Sequence, residues 1–256
     1  MTIKKASLYL FSLYVAMFLF NQAFVLVKPL IEPVTSMTFM MFNKTIFSLG
    51  LLILVYKTKI QRQCGLIFKV NWKTLPLYWP MAVIAVLTLT SGINTDTSGS
   101  MLAIIFVTVL VGIFGEELMF RGLVFHWFRE VSVRKRILIS GFGFGGLHLL
   151  GLATSIDPII ILAQVILAAS FGVIFAYARA KDYSIMMSLM VHFVFNIITI
   201  GSKGGVEEGA STASAEQMAI GMLAVSIISW AWGGYLLWKA GKNSDFISPA
   251  ANLSTS

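Results

Sequence analysis

Eight apolar stretches, separated by short polar ones, make up most of this 256-residue chain. They run over roughly 7–27, 37–56, 76–93, 101–127, 137–153, 159–179, 183–201 and 217–238. Most approach the ~20 residues that a helix needs to cross a bilayer. These long runs do not alternate apolar with polar, and lipid offers no partner to open backbone groups, so each is predicted to be a helix. The expected fold class is an all-α polytopic membrane protein with about eight transmembrane helices in one bundle. The first run follows Lys4 and Lys5 and resembles a signal peptide core. It is too long for one and lacks a convincing cleavage site, so it is read as a retained span.

Composition agrees. The chain is 57% hydrophobic and 12% charged, against about 25% charged in soluble domains. Its single cysteine, Cys64, excludes an internal disulfide. The net charge of +8 does not point to nucleic acid, because the basic residues fall in short loops between apolar runs. Counted in alternate loops, they divide unevenly. One side carries Lys4 and Lys5; Lys57, Lys59, Arg62, Lys69 and Lys73; Arg129, Arg134, Lys135 and Arg136; Arg179 and Lys181; Lys239 and Lys242. The other carries only Lys28 and Lys203. The positive-inside rule then puts both termini in the cytoplasm of a multi-pass cell-membrane protein.

No domain boundary or internal repeat is visible, so residues 1–256 read as a single membrane-embedded domain. The loop SKGGVEEGASTASAE and the tail over 241–256 are polar and rich in small residues. The segment 57–75 mixes five basic residues with Leu66, Ile67, Phe68 and Trp72, which suits the inner membrane surface. A positive-inside loop and nothing more is an equal alternative.

Against this background the stretch GEELMFRG, residues 115–122, stands out. An ionisable residue in a span costs about 2.5–3.5 kcal/mol or more to insert, so it is a functional hypothesis by default. The ionisable candidates are Glu116, Glu117, Arg121, His148, His192 and Lys44, with Asn196 and Asn43 as polar neighbours. At helical rise, Glu116 and Glu117 fall about 16–18 Å from the basic side, His148 about 16 Å and His192 about 14 Å. Convergence from three spans predicts one polar cavity inside the bundle. Glu117 and Arg121 are spaced i,i+4, as are Phe144 and His148, and His192 and Asn196, so each pair shares a helix face. Gly141 and Gly145 form a small-xxx-small pair that lets a second helix approach. Lys44 is expected to snorkel to the outer interface, and His126 to belong to the aromatic belt at the opposite end. Trp230, Trp232 and Trp238 are expected to anchor the last span.

These side chains allow two hydrolytic designs. In one, Glu116, His148 and His192 bind a divalent metal such as zinc and leave a position open for water. In the other, Glu116 and His148 activate water directly, and His192 and Asn196 donate to the developing oxyanion. No H-E-x-x-H motif, suitably placed cysteine or serine nucleophile motif offers another route. Glu117 and Arg121 alone could equally be a buried pair that fixes helix register.

The residues also resemble a known family. EELMFR fits an E-E-x-x-x-R motif, FGGLH an F-x-x-x-H motif and HFVFN an H-x-x-x-N motif, in that order on separate spans. The chain is similar, over about 101–200, to the CPBP group of CAAX proteases and bacteriocin-processing enzymes, also called Abi. The resemblance implies an eight-helix intramembrane endopeptidase. It implies Glu116 as the water-activating glutamate, Glu117 and Arg121 as its support, and His148, His192 and Asn196 as the other site residues. The partners implied are a peptide or membrane-protein substrate and the lipid bilayer. Short loops and the Lys-rich composition point to a bacterial source, where peptide processing or bacteriocin self-immunity is the expected setting. A non-catalytic membrane binding or immunity protein using the same pocket is the alternative. A transporter fits less well, without inverted repeats or matched broken helices.

Overall fold

The computed structural model describes residues 2–27, 36–90, 92–93, 98–153, 156–202 and 214–242. Lys28 and Lys203, most of the loop that begins at Ser202, and the tail beyond Lys242 lie outside them. Among the described residues the helices fall into eight rods, which follow the eight apolar runs. They are α1 (Ile3–Val27), α2 (Ser36–Lys57), α3 (a 3-10 stretch Trp72–Tyr78 leading into Trp79–Leu89) and α4 (Gly99–Trp127). After them come α5 (Val133–Leu147, extended as 3-10 helix over His148–Ala153), α6 (Pro158–Lys181), α7 (Met186–Gly201) and α8 (Ala215–Lys242). Five stretches are long and apolar enough to cross a membrane: Ile3–Phe20, Trp72–Leu89, Gly99–Trp127, Pro158–Lys181 and Ala215–Lys242. α7 is apolar but shorter. The chain is thus an all-helical membrane protein.

Local sequence explains where several rods begin. Side chains at Ser98, Ser132 and Asp157 accept backbone N–H bonds from Met101, Lys135 and Ile159, capping α4, α5 and α6. Pro158 then occupies the first turn of α6, where its missing N–H costs nothing. α6 is the central rod. Phe171, Val173, Ile174, Phe175 and Tyr177 are buried along it and pack with Tyr78, Met81, Ile137, Leu236 and Leu237. A second core gathers Leu118, Met119, Phe120, Leu123 and Val124 of α4 with Leu51, Val55, Phe144 and Leu147. By contrast Leu8, Phe11 and Leu19 of α1, and Ile220 and Ile227 of α8, are exposed, as lipid-facing residues must be.

α5 and α6 touch backbone to backbone. A Cβ added at Gly172 would lie 2.6 Å from the Gly141 carbonyl oxygen, and one at Gly145 would lie 2.6 Å from Ala169 Cβ. The small-residue pair predicted from sequence is this contact, with Gly172 as a partner the sequence did not single out.

α4 is not a uniform α-helix. After Glu117 it opens into a π-helical turn, Leu118–Val124, buried throughout. The wider turn changes which backbone carbonyls are bonded within the helix. The Phe120 carbonyl accepts from Ser140 Oγ at 3.0 Å, and the Arg121 carbonyl from Arg179 Nε at 3.1 Å. Arg179 had counted among the loop cations. It is instead buried and also donates to the carbonyls of Gln63 and Asp182. It binds the end of α4 to two basic connections. Those connections meet directly, through Ile185 N–H to the Gly65 carbonyl at 3.0 Å and Ser184 Oγ to the Ile67 carbonyl at 2.6 Å. Gly65 has φ 75°, and any side chain there would strike Tyr183 and Arg179. The segment 57–75 therefore does not lie wholly on a membrane surface. Cys64 is buried against the bundle, while Phe68 and Trp72 are exposed. Of the three tryptophans in α8, Trp230 and Trp232 donate inward to the carbonyls of Ile166 and Leu77.

Candidate active site

The two cores meet around Arg121. Its guanidinium carbon lies 4.5 Å from the Phe144 ring centroid and 4.8 Å from that of Phe175, one ring from each core. Such faces attract a cation. One turn earlier, Glu117 Oε1 lies 3.2 Å from Arg121 Nη1, and both side chains are fully buried. The pair is close but not aligned as a hydrogen bond, and Glu117 Oε2 and the other guanidinium nitrogens have no hydrogen-bond partner among the described residues. Charge attraction and the two aromatic faces hold the guanidinium.

Glu117 also reaches α7. Its Oε1 lies 3.0 Å from His192 Nδ1. A carboxylate accepts, so Nδ1 carries a proton, and in the neutral imidazole Nε2 then keeps its lone pair. Nε2 stands 3.9 Å from Glu116 Oε2. Phe144 and Phe175 flank the imidazole, with centroids at 5.5 and 5.2 Å. Glu116 differs from its neighbour in access, with its side chain 20% exposed against none for Glu117. Adjacent positions on a helix point about 100° apart, so one acid faces the core and the other the space beside it.

His148 sits where α5 tightens from α to 3-10 helix. Its Nδ1 is 3.2 Å from the Phe144 carbonyl, which again leaves Nε2 as the free nitrogen. Its ring meets Phe144 edge to face at 5.4 Å. The same Phe144 ring meets His192, so the two imidazoles share one neighbourhood. Asn196 follows His192 by one turn and is half-buried. Its carboxamide makes no hydrogen bond among the described residues.

The fold thus brings together Glu116, Glu117, Arg121 and His192, with His148 beside them. The metal expectation fares differently. Among the described residues no three His, Cys, Asp or Glu side chains are gathered so as to hold a metal ion. Ligands of a tetrahedral zinc stand about 3.3 Å apart, given bonds near 2.0–2.1 Å. His192 Nε2 and Glu116 Oε2 are wider than that at 3.9 Å. The expected set Glu116, His148 and His192 does not fit a three-ligand site in this arrangement.

Several neighbours escaped the sequence reading. Phe175 and Arg179 sit in an apolar run with no polar signal at the first and only a loop charge at the second. Ser188, which bonds the Tyr78 hydroxyl at 2.9 Å beneath the site, shows no recognisable pattern. Lys44 does not run to the helix end as expected. Its stem and ammonium lie against Gly112 of α4.

A buried carboxylate and guanidinium thus hold an imidazole whose second nitrogen faces a more accessible carboxylate. The family described as type II CAAX prenyl endopeptidase Rce1-like matches residues 98–198. The match spans about two fifths of the chain and contains all six candidate residues from Glu116 to Asn196. Over that segment the chain is similar to the Rce1-like CAAX-protease family, the group to which the three motifs pointed. No curated protein matches the chain.

Proposed function

We propose that the protein is an intramembrane endopeptidase that hydrolyses a peptide bond with water activated by Glu116. The observation that carries this is the His192 bridge, with Nδ1 on Glu117 and Nε2 turned to Glu116. Two acceptors 3.9 Å apart can share one water through hydrogen bonds of about 2.8 Å, with an angle near 90° at its oxygen. That is close to the bond angle of water, so both protons can be engaged and a lone pair directed at a carbonyl carbon. Glu116 takes the proton as the water attacks and returns it to the leaving amine. Glu117, paired with Arg121, keeps His192 in the tautomer that this requires. His148 shares the space and completes the polar wall. Asn196, with unsatisfied donors one turn from His192, is the candidate for the oxyanion.

The same reading takes all eight rods as spans in one membrane-embedded domain, with both termini on the cytoplasmic side. The meeting of two Lys- and Arg-rich connections through Gly65 and Ile185 supports it. Substrates are peptides or membrane-protein segments. A bacterial setting of peptide processing or bacteriocin self-immunity rests on loop length and composition alone. The deciding experiment is a comparison of cell peptidomes with wild type and Glu116→Gln at equal membrane levels. Cleavage products that disappear in the variant are expected. Identical product sets would leave only a binding function.

A further inference from the structure

Lys44 is a cation that this mechanism does not use. It lies within the apolar helix α2 and is half-buried. A Cβ added at Gly112 would meet its Cδ at 2.6 Å and its Nζ at 2.9 Å, so the absence of a side chain there is what lets the lysine reach α4. Ser48, one turn along α2, donates to the Val111 carbonyl at 2.8 Å and rests against Gly115. In that register the Lys44 backbone is level with about residue 111, four back from Gly115. The ammonium therefore crosses sideways onto α4, and Gly112 is one helical turn from Glu116 on the same face. Lys44 and Glu116 both lie within electrostatic reach of His148.

The ammonium makes no hydrogen bond and no ion pair among the described residues. Arg121 already neutralises Glu117, and no ion pair joins Lys44 to Glu116. An ammonium within an apolar span is expensive to insert, and a span with no use for it could carry leucine. No acidic residue among the described residues pairs with it.

We propose that Lys44 forms a subsite for a carboxylate of the substrate peptide. The subsite rests on the hydrolase reading only for its position beside Glu116. One helical turn is about 6 Å, and an extended peptide advances about 3.3 Å per residue. The carboxylate then lies about two residues from the bond presented to Glu116. A free C-terminus and an Asp or Glu side chain share this chemistry. A charge-assisted bond is the stronger kind of hydrogen bond, and it aligns the peptide across the gap between α2 and α4.

The test reads binding in protein that does not cleave, so Glu116→Gln is placed in lipid nanodiscs. The probes are short apolar peptides carrying an uncharged coumarin label, in three forms: free acid, C-terminal amide, and amide with one internal Glu. At least one carboxylate form is expected to bind about 10-fold or more tightly than the neutral amide. Adding Lys44→Met, which keeps the stem packed on Gly112, should bring it to the affinity of the amide, and Lys44→Arg should preserve the preference. Which carboxylate form wins identifies the source. Equal binding of all three forms, binding by none, or a preference that survives Lys44→Met overturns the proposal. Absence of cleavage by the wild type would instead sink the hydrolase reading and leave the subsite standing.

Discussion

Glu117 and His192 stand 75 positions apart in sequence and meet across 3.0 Å, carboxylate oxygen to imidazole Nδ1. Their contact joins the first and third motifs. The adjacent acids differ in access: Glu117, sealed from solvent, holds the imidazole, and Glu116 is partly open. Aromatic rings from the two cores flank both the imidazole and Arg121.

Glu117→Ala should destabilise the fold by about 3–5 kcal/mol, because it strands the fully buried Arg121 charge. Adding Arg121→Met should restore most of that, since apolar replacement of a buried pair is often near neutral. Reversible unfolding in mixed micelles measures both. Activity should stay low in the double variant, because His192 has lost its orienting acceptor. A single variant as stable as wild type would mean the pair is not held as described.

Glu116→Ala should leave stability nearly unchanged, given its partial exposure, while cleavage of a native substrate falls by about 10²–10⁴-fold. His148→Ala should cost a comparable amount. The two together should cost little more than either alone, since groups that act as a unit do not add. Strictly multiplicative losses would argue that they do not act on the same water.

Gly172→Ala should lower the melting temperature of the purified protein, since the new Cβ would sit 2.6 Å from the Gly141 carbonyl oxygen. Overpacking of this kind typically costs about 1–3 kcal/mol. Gly50→Ala, where nothing lies within 4 Å, is the control. It should be neutral or slightly stabilising, because alanine favours helix over glycine. Equal melting temperatures for both would count against direct contact of α5 and α6.

Cys64 should resist alkylation. Burial pushes its thiol up to about 12, against a smaller downward pull from Arg179. Raised above the ordinary value, the thiol stays protonated and non-nucleophilic through neutral and mildly alkaline pH. Maleimide labelling at pH 8 should be slow in the folded protein and fast once it is unfolded in detergent. Rapid labelling of folded protein would show that the segment around Gly65 is not packed against α4 and α6.

Much of the candidate cluster was legible because lipid makes polar residues conspicuous. Glu116, Glu117, Arg121, His148 and His192 stood out as charges within apolar runs, and helical rise placed them at one depth before any fold was known. The polar-in-apolar contrast has no power over apolar partners. Phe175 is as expected in a span as any leucine, so its place on the Arg121 guanidinium could not be read from the chain. Arg179 was hidden for the opposite reason. At the end of an apolar run beside basic loops, a buried staple and a solvated loop charge look alike.

By itself the sequence determined the helical class, the order and approximate ends of the eight rods, and the small set of side chains able to do chemistry. These follow from local quantities: run length against bilayer thickness, cost of charge in lipid, and spacing on a helix face. Only the tertiary structure decided how that set divides. Adjacent positions on a helix differ by about 100° in direction, and it is the packing of α7 and the aromatic rings that turns one of two neighbouring glutamates to the core and leaves the other open. Packing likewise opened the π-helical turn after Glu117 and lodged Lys44 on Gly112. Both depend on which surfaces of distant helices meet, and no local rule carries that information.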